Sequence, residues 1–243
     1  MKLLDQIRDG NDWAVIAYLK VARGRLDQPL LMGNGPLYWA CDYGRVALVK
    51  SLVKMGANVN QRDEREGLSP INAACGAGHP EVVRILLDAG SELDISTPIR
   101  NPLFSCISSM LFGYQPAFER SGRTRDENFE CLFRCAKLLI EAGIDLSATY
   151  NTQAKVDMTA DAFACMYGRE DIAALIIDEL YHEKPNLHAS AWAEAREVAI
   201  GNAWSRQKFR RWRYPPRRGK NRNWRPPLGE YWQSPEEAKS SKQ

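Results

Sequence analysis

Cysteine and histidine are the side chains through which this chain could bind a metal or do redox or nucleophilic chemistry. Its 243 residues include six cysteines and three histidines. Cys131 and Cys135 are four residues apart and could share one face of a helix, but no Cys-x-x-Cys motif or neighbouring histidine accompanies them. Cys41, Cys75 and Cys165 occupy equivalent positions of a repeated pattern, each at the same distance after Pro36, Pro70 and Ala160.

Packing explains these cysteines better than disulfides do. Stacked helical layers lie about 8–10 Å apart, whereas a disulfide needs Cα atoms within about 7 Å. Cysteines at equivalent positions of successive repeats are therefore too far apart to pair. We interpret the cysteines as small buried residues at crowded helix contacts, and a redox or metal role as the alternative.

Enzymatic motifs are not found in the sequence. His79 belongs to a repeated turn, and His182 and His188 lie in or beside a linker segment. There is no Gly-x-Ser-x-Gly, Walker or His-Glu-x-x-His motif, and Asp161 and Asp171 stand alone. The sequence therefore predicts no catalysis, no cofactor, no metal and no small-molecule substrate; an enzyme would need a cleft built largely by an insertion.

A basic arm near the C-terminus is the strongest charge signal. Between positions 206 and 225 there are ten Lys or Arg residues and no acidic residue, so the rest of the chain holds every Asp and Glu and has a net negative charge. Interleaved arginine and aromatic residues suit nucleic acid or an anionic membrane surface, and equally an import receptor, an acidic protein groove or contact with the chain's own last repeat. The arm comprises Arg206, Lys208, Arg210, Arg211, Trp212, Arg213, Arg217, Arg218, Lys220, Arg222, Trp224 and Arg225.

Composition is that of a soluble globular protein. Apolar residues make up 44% of the chain and charged residues 26%. No apolar run approaches the ~18 residues of a membrane helix, and the first residues do not form the core of a signal peptide. We expect an intracellular protein, in the cytoplasm or the nucleus.

A repeat of fixed period organises the chain. It is visible at Gly10, Gly44 and Gly78, at Pro36 and Pro70, and at Gly56 and Gly90, all of which recur at one constant interval. An interval of about 34 residues indicates a solenoid, whose units bury their apolar faces against neighbouring units and present an extended surface.

The third repeat shows how each unit is built. Ser69 can cap a helix that begins at Pro70, where the missing N–H costs nothing. Gly78 ends this short helix, and the Val-Val-x-x-Leu-Leu run after it has the period of a second, more buried helix that Gly90 closes.

These residues resemble the ankyrin repeat, whose motif reads Gly-x-Thr-Pro-Leu-His-x-Ala-Ala-x-x-Gly-His and ends in Gly-Ala-x-x-Asn. The resemblance is strongest in repeats two and three and covers roughly residues 1 to 180. Gly35 replaces the motif's Thr, and Tyr38 and Asn72 replace its His, so we expect weaker local hydrogen bonding there. The resemblance implies an all-α ankyrin solenoid of about five helix–turn–helix units, with a helical cap and an extended basic tail.

Unit boundaries follow from the repeat positions. The interval from Pro102 to Gly143 is about twice that from Pro70 to Gly90, so we expect an insertion between the two helices of the fourth unit. This insertion is interpreted either as a lid or gripping element or as a solvated loop. The predicted segments are an N-terminal cap (1–32), repeats at 33–66, 67–98, 99–150 (insertion at about 109–128) and 151–185, capping helices (186–213) and an extended or disordered tail (214–243).

The resemblance implies a contact face formed by the fingers before the first helices and by the exposed side of those helices. We expect exposure at Tyr43 and Tyr167, while Trp39 could equally pack against the next repeat. The function this implies is non-enzymatic protein binding, as an adaptor or an inhibitor of a partner; the alternative is nucleic-acid or anionic-surface binding through the arm. The face residues are Asn34, Trp39, Asp42, Tyr43, Arg65, Glu66, Leu68, Arg100, Ser108, Ser109, Met158, Met166 and Tyr167.

Overall fold

The computed structural model of the chain describes residues 2–109, 121–151, 157–181, 187 and 190–198. The basic arm and most of the insertion fall outside this range, as do His182 and His188. The chain divides into an N-terminal subdomain, Met1–Ala148, and a C-terminal subdomain, Thr149–Gln243.

Antiparallel helix pairs build the N-terminal subdomain. In each pair a short first helix is followed by a glycine turn and a second helix. The helices are α1 (Leu3–Asp9), α2 (Asp12–Val21), α3 (Pro36–Asp42), α4 (Val46–Lys54), α5 (Pro70–Gly76), α6 (Pro80–Asp88), α7 (Pro102–Ser108) and α8 (Arg125–Glu141), with one 3₁₀ turn at Arg23–Arg25.

The second helices carry the repeated core. In α6 the residues Val82, Val83 and Leu86 are fully buried, and α4 buries a Leu-Val-Leu set at the equivalent positions of the repeat before. Because these side chains recur at the same distance after each turn, one apolar stripe faces the neighbouring helices in every unit. Burying such a side chain contributes about 1.5–3 kcal/mol.

The turns confirm the repeat phase. Gly44 and Gly78 both adopt left-handed backbone, with φ of 63° and 67°, so they occupy equivalent turns. Ser69 is the N-cap of α5, as expected. The expected loss of hydrogen bonding at Asn72 is wrong: its Oδ1 accepts from the Ser69 N–H at 3.1 Å, and its Nδ2 donates to the Arg100 carbonyl at 2.7 Å.

The insertion differs from expectation. The turn glycine of this unit is Gly122, with φ of 66°, and it lies much farther from Pro102 than Gly78 lies from Pro70. Helix α8 then has 17 residues where α6 has nine. Part of the extra sequence therefore precedes Gly122 and part lengthens the second helix, so residues 125–128 are helical instead of belonging to a connection between helices. A capping box of Thr124 and Glu127 starts this longer helix.

The C-terminal subdomain begins with a short hairpin. Strands β1 (Tyr150–Asn151) and β2 (Asp157–Met158) are antiparallel, with Tyr150 opposite Met158. Helices α9 (Ala160–Met166) and α10 (Glu170–Tyr181) follow, and residues 190–198 are helical. The fold prediction is confirmed as helical, apart from this hairpin and an isolated bridge at Leu31 and Asn34. None of the described helices is long and apolar enough to cross a membrane.

Candidate partner-binding surface

Three loops precede the first helices of the N-terminal subdomain, and together we call residues 27–35, 58–69 and 92–101 the finger edge. In the first finger, Leu31 and Asn34 form a bridge that turns the chain through Met32 and Gly33, both at positive φ. The turn leaves Leu31 49% and Met32 58% exposed. An apolar pair held in water at a loop tip is a candidate contact point.

Asp63 organises the second finger. Its carboxylate is 7% exposed and accepts hydrogen bonds from the backbone N–H groups of Arg65, Glu66 and Leu68, each at 2.8 Å. These bonds fix the loop and leave the side chains of Arg65 and Glu66 exposed, with Leu68 half-buried. Asp63 is not among the residues predicted from the sequence, although an aspartate at the start of a tight loop is the signal for this kind of turn.

The fingers also contact one another. The Arg100 Nε donates to the Glu66 carbonyl at 3.1 Å, and the Arg62 guanidinium reaches Asp94 at 2.6 Å. A Cβ added at Gly33 would touch the Glu64 backbone at 3.4 Å, so the first finger lies against the second. The edge is therefore ordered before any partner arrives, and its third finger presents Ile99 at 56% exposure.

The contribution of the Arg62, Asp94 and Arg100 ion pairs to stability depends on pH through the ionisation of Asp94. Burial raises the pKa of Asp94, but hydrogen bonds from Ser96 and the charges of Arg62 and Arg100 outweigh it and lower the pKa below its usual range. A carboxyl whose pKa is lower in the folded protein stabilises the fold above its unfolded pKa of about 3.9 and loses this effect as pH falls through the folded value.

We therefore expect Asp94→Asn to lower the urea midpoint of unfolding at pH 7. The difference from the wild type should shrink as the pH is lowered below about 4, because the wild-type carboxyl then takes up its proton too. Urea titrations at a series of pH values measure this, and a gap that stays constant down to acid pH would contradict it.

The first helices present less surface than the resemblance implied. All residues from Pro70 to Gly78 are buried, as are those from Asn101 to Ile107. The small side chains of Ala73 and Ala74 place α5 between its neighbours in the stack. The more exposed part of this face lies on α3 and its C-cap residue Tyr43. The rings of Trp39 and Tyr43 are half-buried and tilted by 33°, with 6.3 Å between their centroids, so Tyr43 is only partly exposed.

Several predicted contact residues lie inside the protein. The expected exposure of Tyr167 is wrong, since it is 9% exposed and its ring meets Phe163 edge-on at 4.5 Å. Ser108 is half-buried and donates to the Phe104 carbonyl at 2.8 Å. Of the remaining predicted residues, Asp42 and Arg100 are half-buried and Asn34, Ser109, Met158 and Met166 are buried.

In the turns that precede the second helices, long side chains pack against the turn glycines of the unit before. His79 lies against Gly44, and its Nε2 is 3.2 Å from the Asp42 carbonyl. Arg123 donates to the Gly78 carbonyl at 2.7 Å and lies 3.2 Å from the His79 Nδ1. These partners are far apart in sequence, so the repeat motif alone does not reveal them.

Helices α6 and α8 border an open cavity of about 790 Å³, which Arg123 also lines and which we call the second-helix groove. It is lined by the turn at Gly78 and His79 and by one side of α8 from Glu130 to Glu141. No group of three or more potential metal ligands occurs in the described part of the chain.

The cysteines are packing residues. Five of the six are buried, and Cys131, which lines the groove, is half-buried. Burial raises the pKa of the Cys41 and Cys135 thiols well above the usual value and that of Cys165 to about 12. A thiol with a raised pKa is a poor nucleophile at neutral pH.

Comparison with known proteins identifies the repeats. Residues 6–110 match the family model described as ankyrin repeats (3 copies). The crystal structure of the human ASB11 ankyrin repeat domain superposes with a TM-score of 0.52 at 20% identity, covering 72% of this chain and 67% of that one. At that identity the likeness concerns the fold.

Two curated relatives carry a functional name. Protein phosphatase 1 regulatory subunit 27 of Mus musculus is 36% identical over 91 residues, and the Homo sapiens protein of that name is 35% identical over 91. Each alignment covers 37% of this chain and 58% of the relative, so the chain spans little more than half the length of the relatives it matches. The repeat phase and the glycine turns agree with the family match, so residues 6–110 of this chain contain ankyrin repeats.

Proposed function

We propose that this chain is a non-catalytic regulatory protein that binds another protein through the finger edge and the neighbouring aromatic side chains of α3. The observation that carries the proposal is the exposure of apolar tips on fingers that are already ordered. Leu31, Met32 and Ile99 stand in water on loops that backbone and side-chain hydrogen bonds hold in place. A preordered surface loses little conformational entropy on binding, so a few anchors supply most of the affinity.

The residues of this edge suit a protein partner. Apolar tips on the first and third fingers flank the exposed Arg65 and Glu66 of the second, so apolar and charged contacts of both signs lie side by side. Protein interfaces combine an apolar centre with a polar rim. An edge of mixed charge offers no continuous positive track for a phosphate backbone.

As the partner we propose the catalytic subunit of a protein phosphatase. The support is the likeness to the two regulatory subunits, whose names state that they regulate protein phosphatase 1. An intracellular location follows from the same proposal.

Binding of the full chain to purified protein phosphatase 1 catalytic subunit, measured by isothermal titration calorimetry, tests this. We expect Met32→Ser with Ile99→Ser to weaken binding about 10-fold or more, because two of the three exposed apolar tips are lost. Hydrolysis of a small aryl phosphate in the same mixtures separates an inhibitor, which abolishes turnover, from an adaptor, which leaves it unchanged.

The matched control is Val21→Ser, which removes an exposed apolar side chain from α2, outside the finger edge. It should leave the affinity unchanged. If the Met32 and Ile99 variant binds like the wild type, the finger edge is not the contact surface. If instead a chain ending at Ser205 no longer binds, the contact belongs to the basic arm.

A further inference from the structure

The second-helix groove lies between α6 and the longer helix α8. Helix α8 has 17 residues, and α6 beside it has nine. Arg123 ties the start of the longer helix back to the third repeat through the Gly78 carbonyl and His79. The two helices border an open space of about 790 Å³, within the range of about 300–1,000 Å³ that is usual for ligand sites.

The groove has an apolar floor. Val46, Pro80, Phe133 and Leu138 line it and are all half-buried, so each offers part of its side chain to an occupant. On α8 the lining residues recur at Glu130, Arg134, Lys137 and Glu141, which is one face of the helix beside the face that packs into the core.

Charge around the groove is incompletely balanced. Glu81 pairs with Lys50 at 3.2 Å, and Lys137 lies 3.9 Å from Glu141. Arg84 and Arg134 are exposed and have no carboxylate within 4.0 Å among the residues that the structure describes. Glu130, which also lines the groove, has no cation within 4.0 Å among the described residues, so two cations and one carboxylate remain unpaired beside the apolar floor. The excess of cations favours an occupant with carboxylates.

The carboxylates at the groove indicate what kind of occupant fits. Glu81, Glu130 and Glu141 line the groove together with the arginines, so a continuous polyanion such as nucleic acid would meet repulsion along it. A peptide can place an acidic side chain at Arg84 and Arg134 and an apolar side chain on Phe133, and it can keep its other charges away from the glutamates. Charge complementarity thus favours a protein segment.

We propose that the second-helix groove is a second docking site, which binds a short acidic segment of a partner protein through Arg84 and Arg134 and an apolar anchor on Phe133 and Leu138. No residue of the finger edge lines the groove, so the two surfaces can be occupied at the same time. The inference goes beyond the proposed function and does not depend on it, because binding at the fingers and binding at the groove are measured with different variants.

The test is a selection of random dodecapeptides, displayed on phage, against the full chain. The expected result is enrichment of peptides that combine Asp or Glu with a large apolar residue. Arg84→Glu with Arg134→Glu should weaken the enriched peptides about 10-fold or more in fluorescence polarisation, since two attractive charges become repulsive. Arg84→Gln with Arg134→Gln keeps good helix formers at both positions and should weaken binding in the same direction with unchanged circular dichroism.

Lys20→Glu with Lys54→Glu is the matched control, because it makes the same change in net charge at two exposed lysines that do not line the groove. It should shift the affinity by less than about 2-fold. Cys131 supplies an independent readout: it lines the groove, and it is the half-buried member of six cysteines that all lie in described residues. A bound peptide should slow its alkylation.

Three results would overturn the proposal. One is a selection that yields no peptide sensitive to the two arginines. Another is an enriched peptide that leaves the alkylation rate of Cys131 unchanged. The third is an oligothymidylate that competes with the peptide and protects Cys131, which would make the groove a polyanion site.

Discussion

Gly44→Ala should destabilise the N-terminal subdomain by about 2–5 kcal/mol, more than most single substitutions of so small a side chain. Two effects add. The φ of 63° is in the left-handed region, which costs a residue with a Cβ about 1–2 kcal/mol. The new methyl group would also overlap the His79 ring, and overpacking of this kind costs about 1–3 kcal/mol.

The ring cannot move aside without cost, because both of its nitrogens have partners. Nε2 lies 3.2 Å from the Asp42 carbonyl and Nδ1 3.2 Å from the Arg123 guanidinium. Displacing His79 would therefore break two polar contacts. One joins the third repeat to the Asp42 carbonyl of the second repeat, and the other joins it to Arg123 of the fourth. In a solenoid, whose stability comes largely from such nearest-neighbour interfaces, one substitution weakens both.

Gly56→Ala is the matched control. Gly56 also has positive φ, at 90°, but a Cβ there would meet nothing within 4 Å. It should cost only the backbone term, about 1–2 kcal/mol. Urea unfolding followed by circular dichroism compares the two, and equal losses would show that the His79 ring does not resist the methyl group. With His79→Ala in the background, the extra cost at Gly44 should disappear.

The sequence allowed the repeat phase to be predicted because glycine turns and apolar stripes are local features. Gly44 and Gly78 were placed in equivalent turns from spacing alone, and the buried Val and Leu positions followed. Ser69 was recognised as a cap from its place before Pro70. Each of these depends on side chains within a few residues of one another.

What escaped prediction depends on contacts between repeats. Arg123 reaches Gly78 from the next unit, and nothing in its neighbourhood along the chain distinguishes it from the other arginines. The extra residues of the fourth unit were predicted to lie between its two helices, because the spacing of the repeat positions gives their number but not which of them are helical. Tyr167 was expected in water because it occupies the same position as Tyr43, but its ring packs against Phe163.

The second large effect is expected at Asp63, whose carboxylate holds the second finger. Asp63→Ala removes the acceptor for three backbone N–H groups at once, each now bonded at 2.8 Å. Loss of these three hydrogen bonds should lower the free energy of unfolding by about 1–3 kcal/mol in total, because water can reach the exposed loop and replace part of them. Binding to the partner should weaken as well, by about 10-fold or more, since Arg65 and Glu66 lose their fixed positions and must be ordered by the partner.

Asp63→Asn separates this geometric role from the charge. Its carbonyl oxygen can still accept from the N–H groups of Arg65 and Glu66, but its amide nitrogen would oppose the N–H of Leu68, which now donates to the other carboxylate oxygen. The asparagine variant should therefore fall between the wild type and Asp63→Ala in both the urea midpoint and the affinity for the finger-edge partner. An alanine variant that binds as tightly as the wild type would mean that the second finger adopts its shape without Asp63, and the contact surface would then have to be sought on the first and third fingers alone.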